Sequence, residues 1–154
     1  MKLRAIMTTP VLTLTPSEPA SDAFALLRDA GVRHAVVVSG GRVAGVVSDR
    51  DFGGPAGGAV RKGMTVADLM QIDPVVAPPE LTALRAALLV RKHRIGCIPV
   101  VEEGKLVGIV TRSDLLVALA QRRKRERETG RRDREPAEVP RPPHLVSPNR
   151  DKWP

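Results

Sequence analysis

Two stretches with one pattern decide the fold: Gly45-Val46-Val47-Ser48-Asp49-Arg50-Asp51 and, 63 residues later, Gly108-Ile109-Val110-Thr111-Arg112-Ser113-Asp114. Each reads as glycine, two apolar residues, a hydroxyl, two variable positions and an aspartate. The apolar pair suits the end of a buried strand. The spacing Ser/Thr-x-x-Asp suits the start of a helix, where hydroxyl and acid can satisfy free backbone N–H groups. The same junction also presents an anion with those N–H groups and the positive end of a helix dipole. Two readings are therefore open: a plain helix cap, or a site whose hydroxyl donates to phosphate or ribose and whose carboxylate accepts from a ribose diol.

The 63-residue offset extends outward from the motif. Ile6-Met7 lies over Leu69-Met70, Pro16 over Pro79 and Ala23 over Ala86. This is an internal duplication, and each copy reads alike. Short apolar stretches at 11–14 and 75–77 suggest strands. A helix follows, with Ala20, Ala23, Phe24 and Leu27 on one face of copy one and Gly31 as its stop. In copy two, Leu81, Leu84 and Leu88 mark the expected face. Strand pairs come next, 35–38 with 42–47 across Gly40-Gly41, and 98–101 with 105–110 across Glu103-Gly104. Each copy then starts a second helix. Residues 65–70 read as a short helix capped by Thr65. The continuous Val36-Val37-Val38 and Ile109-Val110 predict strands covered on both faces, so the two copies are expected to pack sheet to sheet about a pseudo-twofold axis.

Composition bounds the rest. Of 154 residues, 42% are apolar and 2% aromatic, so the core is built from Val, Leu, Ile and Ala. No apolar run reaches the ~18–20 residues that span a bilayer, and Met1-Lys2-Leu3-Arg4 is followed by no signal-like apolar region. Cys97 is the only cysteine, which fits a reducing cytoplasm. The net charge of +8 sits mainly in residues 121–154, where 11 Lys/Arg stand against 6 Asp/Glu. The tail carries Pro136, Pro140, Pro142, Pro143 and Pro148 and few apolar groups, so helix is expected to about residue 128 and disorder beyond. Its mixed charges read as a solvated helix end. Its single aromatic, Trp153, offers no stacking platform, so incidental polyanion binding is expected rather than specific nucleic-acid recognition. Residues 52–63 read as a flexible glycine-rich linker, not a phosphate loop, because Lys62 is followed by Gly63. His34, His93 and Cys97 match no structural zinc spacing. A cysteine among Ile and Pro is expected to have a raised pKa, which disfavours a nucleophile. Asp49 and Asp51 read as helix-start charges rather than an acid/base pair.

In order, Met-x-x-Pro before strand one, Val32-Arg33-His34-x-Val36-Val37 or Ile98-Pro99-Val100-Val101 at strand two, and then Gly, two apolar residues and Ser/Thr-x-x-Asp resemble the signature of CBS domains, named after cystathionine β-synthase. The resemblance covers residues 3–120. It implies an α/β (α+β) fold of two tandem βαββα repeats, a Bateman module, with repeat one over 3–60, repeat two over 64–124 and a disordered tail over 125–154. It implies no catalytic residue, no catalytic cofactor and no metal. Its ligands are adenosine derivatives such as AMP, ADP or ATP, bound in two clefts between repeats. Carried over residue by residue, Ser48, Asp51, Thr111 and Asp114 are the ribose-phosphate contacts, with Arg50 and Arg112 beside the phosphate. Val32, Arg33, His34, Ile95, Gly96 and Cys97 form the base wall. The implied partners are a second copy, in a homodimer, and an unidentified regulated protein; a membrane is not among them. Copy one departs from the signature in two places. It has Ala35-Val36 where copy two has Ile98-Pro99, and Gly53-Gly54-Pro55 limits its second helix to about one turn. A structural dimerisation module with vestigial pockets, or polyanion binding through the tail, are the alternatives.

Overall fold

The computed structural model describes residues 1–132. Met1–Arg122 forms one compact unit, and Arg123–Arg132 is the described start of a second. After a turn of 3-10 helix at Leu3–Ala5, repeat one runs β1 (Thr13–Leu14), α1 (Ala20–Ala30), β2 (His34–Ser39) and β3 (Arg42–Ser48). The connection holds α2 (Gly58–Arg61), α3 (Val66–Leu69) and β4 (Gln71–Ile72). Repeat two runs α4 (Ala83–His93), β5 (Cys97–Glu102), β6 (Lys105–Thr111) and α5 (Arg112–Arg132).

The first sheet has the order β1-β2-β3-β4. β1 is parallel to β2, with Leu14 beside Val37, and β3 is antiparallel to β4, with Val46 beside Gln71. The second sheet repeats this with fewer residues: Ala77 bridges Val100 in parallel, and Thr8 bridges Ile109 in antiparallel. Every pair is offset by 63, so the pseudo-twofold is obeyed at the level of single residues. The hairpin turns need left-handed backbone, which Gly40 and Gly41 supply at φ 58° and 75°. In repeat two Glu103 (φ 49°) and Gly104 (φ 77°) do the same.

The strands bury both faces, as their valine runs predict. Val37 and Val47 face α1 in a cluster with Leu14, Ala20, Ala23, Phe24 and Leu27. Val100 and Val110 join Ala83, Ala86 and Val90 in the counterpart cluster. Successive side chains point to opposite faces, so Val36, Val46 and Ile109 meet with Cys97 in a third cluster between the sheets.

The segments leading into each repeat are exchanged. Leu3 is fully buried in the core of repeat two, and Val66 in that of repeat one. The backbone agrees: Leu3 N–H donates to Leu81 O and Val66 N–H to Glu18 O, each at 2.9 Å. The motif glycines make room for the crossing. A Cβ on Gly45 would stand 2.7 Å from the carbonyl oxygen of Gln71, and one on Gly108 2.5 Å from Met7 Sδ.

Some expectations are corrected. Leu84 and Leu88 are 48% and 55% exposed. α4 instead buries Ala83, Ala86 and Val90, which stand 63 residues beyond Ala20, Ala23 and Leu27 of α1. The first strands are shorter than expected, Thr13–Leu14 and a single bridge at Ala77. No helix follows β3 directly; residues 49–53 form turns, because Gly53, Gly54 and Pro55 stand where repeat two has Leu116, Val117 and Ala118. α5 continues to Arg132, four residues past the expected end, with Thr129 Oγ1 donating to the Arg125 carbonyl at 2.9 Å. The expectation of a disordered tail otherwise lies outside the described residues.

The stretch 52–63 is no loose linker. Phe52 is fully buried against Phe24, edge to face, with ring centroids 6.1 Å apart. Arg61 is also buried, its guanidinium 4.0 Å from the Phe24 centroid. Its Nη1 donates to the Phe52 and Gly54 carbonyls at 2.8 and 2.6 Å. Arg61 thus covers the Phe24 ring, with Arg28 5.8 Å from the same centroid, and its bonds to two carbonyls close the loop that stands where repeat one lacks a helix. Phe52→Ala should lower the unfolding free energy by about 3–5 kcal/mol, whereas Lys62→Ala, exposed in the same stretch, should change it by less than about 0.5 kcal/mol. Urea unfolding measures both, and equal small effects would mean that this loop does not seal the first core.

Candidate functional site

Ser48 ends β3 and Thr111 ends β6. Ser48 N–H donates to Asp51 Oδ2 at 2.8 Å, its Oγ–H donates to the same oxygen at 3.1 Å, and Asp51 N–H donates back to Ser48 Oγ at 3.3 Å. The counterpart distances at Thr111 and Asp114 are 2.8, 2.9 and 3.4 Å. This is reciprocal capping. A third instance marks the start of α3, where Thr65 N–H and Oγ1–H donate to Asp68 Oδ2 at 2.8 and 3.0 Å. The Thr65 cap is exposed and away from any cleft described here, so Ser/Thr-x-x-Asp geometry by itself marks only a cap. Location separates the other two.

Both motif pairs line one open cleft of about 630 Å³ between the repeats, within the range of small-molecule sites. The two clefts implied by the family resemblance are continuous in this chain. Ser48, Asp51, Thr111, Asp114, Arg50 and Arg112 all line it, and so do Val32, Arg33, His34, Ile95, Gly96 and Cys97. The hydroxyls differ from expectation in one respect: each donates its proton to the neighbouring carboxylate, so toward a ligand it offers a lone pair. Both carboxylates hold the cap through Oδ2. On Asp51 the other oxygen takes only a long contact from Gln71 Nε2 at 3.4 Å. A carboxylate has about four acceptor positions, so ribose hydroxyls can still be accepted.

The base wall is tight and asymmetric. His34 and Cys97 begin β2 and β5 at equivalent positions. A Cβ on Gly96 would lie 2.5 Å from His34 Nε2, so Gly96 is the flat surface on which that imidazole rests. Burial, aided by Arg112 and Arg33, holds the His34 pKa below its ordinary value against the opposing pull of Asp49 and Asp51. The ring is therefore neutral near pH 7, with one donor and one acceptor nitrogen. Burial, with a smaller push from Asp51, takes the Cys97 thiol up to about 12, so it is a small apolar wall rather than a nucleophile. Among the described residues, no group of three or more His, Cys, Asp or Glu gathers as metal ligands.

Nine further residues line the cleft, and three of them, Thr8, Gln71 and Arg94, lie outside every stretch read as a site in the sequence. Thr8 and Gln71 reach the cleft on the exchanged segments and are themselves a pair at offset 63; the alignment of Ile6-Met7 with Leu69-Met70 stops one residue short of them. Arg94 sits in left-handed backbone at the end of α4, φ 53°, where repeat one has Gly31 at φ 65°. It contributes a cation to the cleft wall.

Residues 3–52 and 66–121 each match the CBS domain family. The chain belongs to the CBS-domain family. It is 33% identical over 112 residues to the CBS domain-containing protein YhcV of Bacillus subtilis, covering 72% of this chain and 80% of that protein. It is 32% identical over 106 residues to the inosine-5′-monophosphate dehydrogenase of Korarchaeum cryptofilum, covering 68% of this chain but spanning only 21% of the dehydrogenase. Among solved structures, CBSX2 in complex with AMP superposes with a TM-score of 0.68 at 30% identity, covering 79% of this chain and 98% of that one.

A neutral, half-buried His34 has a consequence for stability. Its folded pKa lies below the unfolded value, so the unfolded chain takes up the proton first as the pH falls. The contribution of the neutral ring is complete above the ordinary value of 6.5 and is lost as the pH drops from there through the lowered folded value. The melting temperature of the ligand-free protein should fall across that window, and His34→Gln should flatten the curve. Parallel curves for the two proteins would show that another group governs the acid limb.

Proposed function

We propose that this CBS pair is a non-catalytic regulatory module of the cytoplasm. An adenosine-containing nucleotide occupies the cleft, changes the packing of the repeats or of a homodimer, and a partner protein reads the change. One observation carries the reading: two capped hydroxyl–carboxylate pairs from separate repeats face a common cleft, each holding its cap through a single carboxylate oxygen. The likeness to CBSX2, a protein crystallised with AMP, supports the ligand class. Ser48, Asp51, Thr111 and Asp114 are the proposed ribose-phosphate contacts, with His34 and Gly96 toward the base.

The dimerisation reading has an observation of its own. A groove of about 340 Å³ between α4 and α5 is lined by the apolar Ala87, Val90, Leu115, Leu116 and Leu119 together with Arg91 and with Arg94 and Arg112, which also line the cleft; Leu84 and Leu88 are exposed on α4. A second copy is the proposed occupant. Leu116→Glu should convert a dimer to a monomer in light scattering; a wild-type chain that is monomeric throughout would remove the homodimer from the proposal.

At least one of adenosine, AMP, ADP and ATP should bind with a Kd below the millimolar range, and at ~100 times that Kd it should stabilise the chain by ~2.7 kcal/mol. Asp51→Asn and Asp114→Asn then separate cap from contact. Loss of a charge-assisted hydrogen bond to ribose costs ~1.5–3 kcal/mol, ~10–150-fold in affinity; loss of a cap alone costs ~1 kcal/mol of stability and leaves affinity unchanged. Asp114→Asn is expected to cost more affinity. Calorimetric silence across the four ligands would leave a module with vestigial pockets.

A further inference from the structure

We infer that the cleft selects a nucleoside polyphosphate over nucleosides and monophosphates, with its phosphate chain held by arginines from both repeats; this rests on the nucleotide reading above. Arg33, Arg50, Arg94 and Arg112 all line the cleft. Elsewhere, cations near acids pair with them: Lys2 meets Glu80, and Arg4 meets both Glu80 and Glu102. None of the four cleft arginines takes a carboxylate partner among the described residues. Of the three carboxylates on the same cleft wall, Asp51 and Asp114 each hold a backbone N–H and a hydroxyl through Oδ2, and Asp49 forms no ion pair with an arginine among the described residues.

Two of these cations are held in place by the backbone around them. Arg112 is anchored by Nε–H donating to Ile95 O at 2.8 Å and by its own N–H donating to Gly96 O at 3.1 Å. That fixes the guanidinium plane while its two Nη groups stay available, the fork that matches phosphate oxygens. Arg94 keeps a left-handed backbone (φ 53°), a conformation that favours glycine, at the position where repeat one has Gly31. It thereby puts a second guanidinium on the wall that Arg112 shares. Four arginines face three aspartates on the cleft wall, so the positive charge is local to the guanidinium groups. A neutral nucleoside gives them no anionic oxygen, a sulfonium nucleoside adds a like charge, and a monophosphate meets fewer of them than a longer chain does. A polyphosphate is long enough to meet arginines on both repeats.

Isothermal titration of the full chain with adenosine, AMP, ADP, ATP and S-adenosylmethionine, without divalent cations and at fixed ionic strength, tests this. Affinity should rise with each phosphate, with ATP about tenfold or more tighter than AMP, a difference of one or more charge-assisted hydrogen bonds. S-adenosylmethionine should be weaker than AMP, and added salt should narrow the gap. Arg94→Gly and Arg50→Ser each install the residue of the other repeat, and Arg94→Gly relieves the backbone, so both should fold. Each should weaken ATP by about tenfold while leaving adenosine within about twofold. Arg42→Ser, outside the cleft and equal in charge change, should alter neither. If adenosine, AMP and ATP bind alike, or if the cleft variants behave as Arg42→Ser does, the polyphosphate inference fails and the nucleotide reading stands. If none of the five ligands binds, both fail.

Discussion

Each repeat completes its sheet with a segment borrowed from in front of the other, and the motif glycines are where the borrowed chain passes. Gln71 lies along β3 beside Val46, and Thr8 lies along β6 beside Ile109. Any side chain at Gly45 or Gly108 would collide with the crossing segment. Leu3 and Val66 follow their segments into the opposite cores, so neither core is complete without the other repeat. A single βαββ unit would also expose the sheet face that Val36, Val46, Cys97 and Ile109 cover. The cleft inherits this dependence, because its two walls are joined by the same crossings that bring in Thr8 and Gln71.

Much of this was legible in the sequence because the duplication fixes register. The hairpin turns, the buried face of α1, the Gly31 stop and the Thr65 cap follow from local chemistry. The exchange does not, because strand patterning shows that an edge will be paired but not by which distant residue. The face of α4 was misread by size: three leucines at helical spacing outweigh two alanines and a valine on a hydropathy scale. Yet the offset placed Ala83, Ala86 and Val90 over the buried Ala20, Ala23 and Leu27 of α1. Phe52 was lost in a run of glycines for a similar reason. It stands 63 residues before Leu115, which is buried in the other core, and a reading by offset would have put both inside. Arg61 leaves no such trace, because a cation covering an aromatic ring is a tertiary event.

The candidate site was legible as a set of residues and less so as chemistry. The twelve residues named as ribose-phosphate contacts or base wall all line the cleft. The hydroxyl protons, however, are already committed to the motif carboxylates. Capping and ligand contact are thus not exclusive at Asp51 and Asp114. One oxygen holds the strand-to-helix junction in shape, and that fixed shape is what presents the other to a ligand. Preorganisation of this kind lowers the cost of binding, because the junction need not be ordered when the ligand arrives.

The two halves agree in kind at some positions, cleft-lining ones among them, and differ at others. Val46 and Ile109, Val37 and Val100, and Ser48 and Thr111 are interchangeable in kind. At the cleft wall, His34 stands against Cys97, Arg33 against Gly96, Asp49 against Arg112, Arg50 against Ser113, and Gly31 against Arg94. Half one therefore carries two arginines, two aspartates and a neutral imidazole. Half two carries two arginines against one aspartate. The pseudo-twofold of the backbone is therefore not carried into the charges of the wall, where Asp49 and Asp51 of one repeat and Arg112 of the other all act on the His34 imidazole.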